Sequence, residues 1–197
     1  MDYTFDHDLF LWLNFDGGPV MDSIMKVVSG TLMWIPLYLL IIYLVWRKFG
    51  WQRTIGFVVC LALAIGFSDI ICGIFKHSGP LKNIWPSFPV RLRPMCTKEL
   101  IGLIHTLEHP AVPQYGTVSA HAATVIALAW MSALAIRKNW YNWVIGISVV
   151  VICYSRIYLA KHFPMDILLG AIVGTILGLL IFFLWKKFDK VIEKQIK

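Results

Sequence analysis

Four polar residues, Ser155, Arg156, His162 and Asp166, interrupt an otherwise apolar part of the chain. Asp166 follows Pro164, a residue typical of first helical turns, and His162 lies one helical turn earlier. An Asp that accepts a hydrogen bond from one imidazole nitrogen leaves the other nitrogen free to attack. An Arg nearby can hold phosphate oxygens through two parallel hydrogen bonds. The segment predicts nucleophilic chemistry on a phosphate, and the alternative is a set of interfacial side chains snorkelling at a turn.

A second polar segment, Ser119-Ala120-His121, opens another apolar run. Ser is a preferred helix N-cap, and the unpaired N–H groups that follow such a cap form an anion site reinforced by the helix dipole. His121 would lie in the first turn, where it could give a proton to a departing oxygen. The alternative interpretation is a simple cap followed by a packed histidine.

Basic residues mark a third segment, with Lys76 at the end of an apolar run and Arg91, Arg93 and Pro94 later in a polar stretch. Binding of an anionic phosphate explains these cations, and non-specific binding of lipid headgroups is the alternative.

Two histidines and a carboxylate occur together in His105-Thr-Leu-Glu108-His109. Their order differs from the HExxH zinc motif, and Pro110 would end a helix at this point. We therefore interpret the segment as a loop feature and expect no metal.

The elements that must position these residues are membrane helices. Of the 197 residues, 58% are hydrophobic and 15% are charged, whereas soluble domains carry roughly 25% charged residues. Because a span needs about 20 apolar residues, we predict a single all-α domain over residues 1–197, a polytopic helix bundle with a core at about 54–185. A short interfacial helix at 9–15 would precede five transmembrane helices at 31–46 (with further turns from residue 24), 54–75, 118–136, 140–158 and 165–185.

The distribution of charge predicts the topology. With the N-terminus outside, ten of the 18 Lys and Arg residues lie on the inner side, together with only two of the 11 acidic residues. This orientation places all three polar segments, including the polar loop 77–117, on the outer face, where they could form one site. No basic stripe with interleaved aromatic residues is found, so we expect no nucleic-acid partner.

Together the three segments resemble the signature of the type 2 phosphatidic acid phosphatase (PAP2) family, K-x6-RP, PSGH and SR-x5-H-x3-D. The third part matches at every fixed position: Ser155, Arg156, His162 and Asp166. The second part keeps Ser119 and His121 but has Val118 and Ala120 for Pro and Gly. In the first part Arg93-Pro94 is present without a Lys at the usual spacing. We align Lys76 with the family lysine across an insertion, and Lys82 is the competing residue.

The resemblance implies that His162 attacks phosphorus, that Asp166 orients it, and that His121 protonates the leaving oxygen. The phosphate would be held by fixed cations and donors, so that no metal or cofactor is needed: Lys76, Arg93, Ser119, Ala120, His121 and Arg156.

We therefore expect a phosphatase that acts on membrane lipid phosphates through a phosphohistidine, in a bacterial cytoplasmic membrane with its C-terminus in the cytoplasm. Undecaprenyl diphosphate is the first expected substrate, with phosphatidylglycerophosphate, phosphatidic acid and lipid A 1-phosphate as alternatives. A lipid phosphotransferase is the rival enzyme class, and a transporter or scaffold is the non-catalytic alternative. The oligomeric state stays open.

Overall fold

The computed structural model describes residues 4–76, 80–87 and 90–196. In this part of the chain every regular element is a helix, and one isolated bridge joins Leu92 to Tyr115. The all-α prediction is therefore confirmed. The helices are, in chain order, α1 (Thr4–Leu13), α2 (Gly18–Ser29), α3 (Ile35–Phe49), α4 (Trp51–Ile74), α5 (Pro80–Ile84), α6 (Ala120–Ile136), α7 (Asn139–Tyr158) and α8 (Pro164–Ile196), with short 3-10 turns at Leu32–Trp34, Pro94–Cys96 and Lys98–Leu100.

Four stretches are long and apolar enough to cross a bilayer: Leu32–Phe49, Trp51–Ile74, Asn139–Tyr158 and Pro164–Lys194. Many of their large hydrophobic side chains are exposed, as expected where lipid is the solvent. The chain is thus a multi-pass membrane protein. The central helix α6 has 17 residues and a length of about 26 Å, which is short of the roughly 30 Å of a hydrocarbon core.

The N-terminal region differs from the prediction. The expected interfacial helix at 9–15 is α1, which begins at Thr4 and ends at Leu13. The turns from residue 24 belong to the separate helix α2, because Gly30 adopts an extended conformation (φ −83°, ψ 143°) and ends it. Our expectation that these turns lengthen the first span was therefore wrong. At the other end α8 continues to Ile196, because the Lys- and Glu-rich sequence after residue 185 favours helix.

Close packing of α6 against α8 forms the centre of the bundle. Gly170, Gly174 and Gly178 lie at intervals of four residues along α8 and face the backbone of α6. A Cβ atom on Gly174 would stand 2.3 Å from the carbonyl oxygen of Ala123. Only glycine permits this approach, which brings the N-terminal turns of the two helices together.

Two polar contacts fasten the opposite end of the bundle. The Lys48 ammonium donates to the carbonyl oxygens of Ala135 and Ile136 at the end of α6, at 2.7 and 3.1 Å. Arg53 on α4 pairs with Asp189 on α8, with 2.6 Å between Nη2 and Oδ2. These contacts fix the helix ends remote from the polar segments.

Candidate active site

Backbone hydrogen bonds join the three polar segments at one end of the bundle. The Ser119 N–H at the start of α6 donates to the carbonyl oxygen of Asp166 in the first turn of α8, at 3.0 Å. The Gly116 N–H donates to the Arg91 carbonyl oxygen at 3.0 Å. The Met95 N–H donates to the carbonyl oxygen of Ala160 between α7 and α8, at 3.1 Å. These bonds bring together the parts of the three segments around Arg91, Ser119 and Asp166, and Lys76 takes no part in them.

The turn between α7 and α8 presents His162. Ala160 is fully buried and adopts the left-handed conformation (φ 52°), which reverses the chain within a few residues. The N–H groups of Lys161 and His162 then donate to the carbonyl oxygen of Arg156, at 2.9 and 3.2 Å. The imidazole is consequently fixed on a short, tightly bonded turn.

His162 and Asp166 form a buried pair, with 3% and 1% of their surfaces exposed. The imidazole Nδ1 lies 3.4 Å from Asp166 Oδ2 and 3.2 Å from the carbonyl oxygen of Gly116. Two acceptors at Nδ1 place the proton there and leave an unprotonated Nε2. Asp166 Oδ2 also accepts from the Phe163 N–H at 3.0 Å, which caps α8.

Burial lowers the pKa of His162 below its ordinary value, and the hydrogen bond to Asp166 opposes this effect. The balance favours the neutral imidazole, which is the form able to attack an electrophile.

Two arginines bring unpaired donors to the site. Arg156 is 5% exposed, and its Nη1 donates to the hydroxyl of Ser29. Arg93 Nη1 donates to Gln114 Oε1 at 2.6 Å. Among the described residues the buried Nε atoms of Arg93 and Arg156 have no hydrogen-bond partner. Since a buried guanidinium needs an acceptor, this pair is suited to bind an anion.

Ser119 is the N-cap of α6, as predicted, and its hydroxyl accepts from the Ala122 N–H at 3.4 Å. The amides of Ala120 and His121 precede the first intrahelical hydrogen bond, which leaves them available to an anion. Ser155 differs in character: its hydroxyl donates to the carbonyl oxygen of Ile152, at 2.7 Å within its own helix.

His121 is exposed and lines a cavity of about 340 Å³ bounded by α2, α3, α4, α6 and α7. Its titratable neighbours include Arg156, His162 and Arg93. Asp69, the one acidic residue of the second predicted span, lines the same cavity. His121 therefore interacts electrostatically with His162 and Arg156 and also lines a largely apolar space.

The assignment of a family lysine stays a prediction. Lys76 lies just after α4, and its N–H donates to the Gly73 carbonyl oxygen at 3.1 Å. Within the described part of the chain its side chain forms no ion pair with Asp166. The side chain of the competing Lys82 lies outside the described residues.

In the loop segment His105–His109, the His105 and Glu108 side chains pair with residues outside the segment. His105 Nε2 lies 2.8 Å from Asp22 Oδ1, whereas Glu108 pairs with Lys161 at 2.7 Å. Asp16, Asp22 and His105 place one ligand atom each within 4.8 Å of one another, so this group could hold a metal ion. The sequence offered no sign of it because Asp16 and Asp22 are distant along the chain.

Sequence reasoning also missed Gly116 and Asp6. The carbonyl of Gly116 helps to fix the His162 tautomer, and a Cβ atom there would stand 3.2 Å from the imidazole. Asp6 is buried on α1 and pairs with Arg91, which lies 3.6 Å from Asp166 Oδ1. Neither residue carries a local signal, since both act through contacts distant in sequence.

Comparison with known proteins gives a consistent result. A family model described as the PAP2 superfamily matches residues 57–190. The lipid A 4'-phosphatase of Bacteroides thetaiotaomicron is 32% identical over 190 residues, which cover 95% of this chain and 80% of the relative. The undecaprenyl-diphosphatase of Sulfolobus acidocaldarius is 24% identical over 176 residues, covering 87% and 74%.

Two crystal structures share the fold. Aquifex aeolicus LpxE has a TM-score of 0.62 at 20% identity and covers 91% of this chain and 96% of its own. A PAP2-type phosphatidylglycerolphosphate phosphatase from Bacillus subtilis has a TM-score of 0.61 at 21% identity, with coverage of 96% and 86%.

Proposed function

Since this chain belongs to the PAP2 superfamily, we propose that it is a lipid phosphatase in which His162 carries the phosphoryl group between substrate and water. The observation that carries the proposal is the buried His162–Asp166 pair beside two buried guanidinium groups with unpaired Nε donors. A nucleophile with a fixed tautomer next to two guanidinium donors is suited to phosphoryl transfer.

In the first step Nε2 of His162 forms a bond to phosphorus, and the bond from phosphorus to the lipid oxygen breaks. The negative charge of the bound phosphate favours protonation of His121, which gives its proton to that departing oxygen. Asp166 accepts the hydrogen bond of the Nδ1 proton and stabilises the positive charge that develops on the ring. Arg93, Arg156 and the Ala120 and His121 amides hold the three remaining phosphate oxygens.

In the second step a water molecule gives a proton to His121 while its oxygen attacks phosphorus. The bond between phosphorus and Nε2 breaks, inorganic phosphate leaves, and both histidines return to their starting states. The fixed guanidinium charges neutralise the phosphate in both steps. Lys76 stands as a further candidate cation for the same phosphate.

For the substrate we propose a lipid A-type phosphate monoester at the 4' position. The support is the 32% identity to the lipid A 4'-phosphatase of B. thetaiotaomicron and the 27% identity to that of Porphyromonas gingivalis. Undecaprenyl diphosphate, our first expectation from the sequence, is the second candidate, supported by more distant relatives such as the S. acidocaldarius enzyme.

We further propose that α6 is a fifth crossing within one domain and that the active site faces outward from a bacterial cytoplasmic membrane. The charge distribution supports this orientation, because the basic residues near the remote end of α8 would then lie in the cytoplasm. Single cysteines introduced near Glu108 and near Lys190, in a variant whose own four cysteines are replaced by serine, test it. A membrane-impermeant maleimide should label only the former in intact cells.

The function is tested by phosphate release in detergent from 4'-phosphorylated lipid A, 1-phosphorylated lipid A, undecaprenyl diphosphate, phosphatidic acid and phosphatidylglycerophosphate. We expect the 4'-phosphate to react fastest and His162→Ala to abolish release. Equal activity in His162→Ala would overturn the nucleophile assignment. Loss of phosphate from the lipid only when a hydroxyl acceptor is added, with the phosphoryl group recovered on that acceptor, would identify a phosphotransferase instead.

A further inference from the structure

The N-terminal helix α1 lies outside the matched family region and yet packs on the turn that carries His162. Phe10 is fully buried and meets the Phe163 ring edge to face, with 5.2 Å between centroids. His7 stacks on the same ring, with 4.8 Å between centroids. This helix therefore contacts the residue next to the proposed nucleophile.

One carboxylate of α1 reaches further into the site. Asp6 is 7% exposed, and its Oδ1 accepts from the Met165 N–H at 3.0 Å in the first turn of α8. Its Oδ2 pairs with Nη1 of Arg91. Both oxygens of Asp6 thus contact groups that adjoin Asp166.

Arg91 lies between two carboxylates. Its Nη1 pairs with Asp6 and lies 3.6 Å from Oδ1 of Asp166, and its guanidinium carbon lies 3.5 Å from the centroid of the Phe163 ring. The other oxygen of Asp166 faces His162 Nδ1. The closer partner of the cation is therefore Asp6, and Asp166 keeps one oxygen for the imidazole.

We propose that Asp6 is a positioning residue that holds Arg91 away from a full ion pair with Asp166 and so keeps Asp166 directed at His162. This inference rests on the proposed nucleophilic role of His162. Without the Asp6 charge, the buried guanidinium still lies 3.6 Å from Oδ1 of Asp166 and draws that carboxylate toward itself. The hydrogen bond that fixes the imidazole then weakens.

Loss of the Asp6 charge should change the pKa of His162 in one direction only. The charged and titratable groups that act on His162 are Asp166 on α8, Arg156 on α7, His121 on α6 and Arg93 in the loop. Of these, Asp166 is the one that raises the pKa of His162. When Arg91 draws Asp166 away, the pKa of His162 falls further, and the acid limb of activity moves to lower pH.

The test compares Asp6→Asn with Asp8→Asn, the same substitution at an exposed position of the same helix. We expect Asp6→Asn to lower kcat on the order of 10- to 100-fold, to leave KM within about threefold, and to shift the acid limb to lower pH. Asp8→Asn should match the wild type. Adding Arg91→Met to Asp6→Asn removes the competing cation and should restore part of the lost kcat.

Wild-type kcat and an unmoved acid limb in folded Asp6→Asn would overturn the inference, as would a double variant no more active than Asp6→Asn. If Asp6→Asn does not fold, as judged by its melting temperature and gel filtration, Arg91→Lys is used. Lysine keeps the positive charge but lacks the parallel N–H donors of the guanidinium group. Lower kcat at unchanged KM is then expected, and wild-type kcat overturns the inference. Full activity in His162→Ala would instead refute the proposed function.

Discussion

The amide of Ser119 donates a hydrogen bond to the carbonyl oxygen of Asp166 across 3.0 Å. This bond ties the N-cap of α6 to the first turn of α8. Because His121 follows Ser119 and His162 precedes Asp166 on short, rigid segments, the one contact sets the position of the proposed acid relative to the proposed nucleophile. The glycines of α8 permit it by letting the two backbones approach.

Replacing Asp166 by Asn should lower kcat by at least about 100-fold with little change in melting temperature. Asn can still cap α8 by accepting from the Phe163 N–H, but it lacks the charge that stabilises a positive His162. Steady-state kinetics and thermal unfolding in the same detergent measure both effects. A collapse in stability together with activity would contradict a mainly catalytic role.

Arg156→Lys should lower kcat/KM by about 10- to 100-fold, because a lysine retains the charge but loses the parallel donors for phosphate oxygens. The matched control is Arg137→Lys, since Arg137 is exposed at the remote end of α6. Kinetics on the preferred lipid phosphate test this. Similar losses in the two variants would mean that Arg156 does not contact the substrate.

Gly174→Ala should destabilise the bundle by about 1–3 kcal/mol, since its Cβ would overlap the backbone of α6. Gly146→Ala on α7 is the control, because a Cβ there meets nothing within 4 Å and alanine favours helix by about 0.5–1 kcal/mol. Melting temperatures in detergent should therefore change in opposite directions. Equal stability of the two variants would refute the close approach of α6 and α8.

Activity should be lost on acidification only below about pH 6.5, the ordinary histidine pKa, because burial lowers the pKa of His162 and attack needs the neutral ring. The stability of the folded protein should change with pH in the same direction as the activity. Below this pH the unfolded chain binds a proton that folded His162 does not, so stability falls as the pH falls toward the folded pKa.

Profiles of kcat/KM and of melting temperature from pH 8 to pH 4.5 check both statements. His162→Gln should show a shallower loss of stability on acidification than the wild type. An acid limb centred above the ordinary histidine pKa would show that charge attraction, and not burial, dominates at His162.

EDTA should leave phosphatase activity within about twofold of its starting value, because the guanidinium groups of Arg93 and Arg156 can neutralise the phosphate without a divalent ion. Activity that falls in EDTA and returns with a divalent cation would contradict a metal-free mechanism. In that case Asp22→Asn would reveal whether the group of Asp16, Asp22 and His105 binds the ion.

Local spacing made much of the site predictable. Asp166 lies one turn after His162, and Pro164 starts α8 between them, so the pair follows from chain geometry alone. Ser119 is an N-cap because apolar helix follows it directly. By contrast, the break at Gly30 was missed, since a glycine between two apolar stretches does not reveal whether a helix continues through it.

The sequence by itself determined the membrane-spanning class, the all-α fold and the spacing of Ser155, Arg156, His162 and Asp166, because hydrophobicity and spacing within a few helical turns are local properties. Tertiary structure decided that Gly116 faces His162 and that Asp6 reaches Arg91 beside Asp166. These contacts depend on how close helices approach and on the path of a long loop, which no periodic pattern in the chain records.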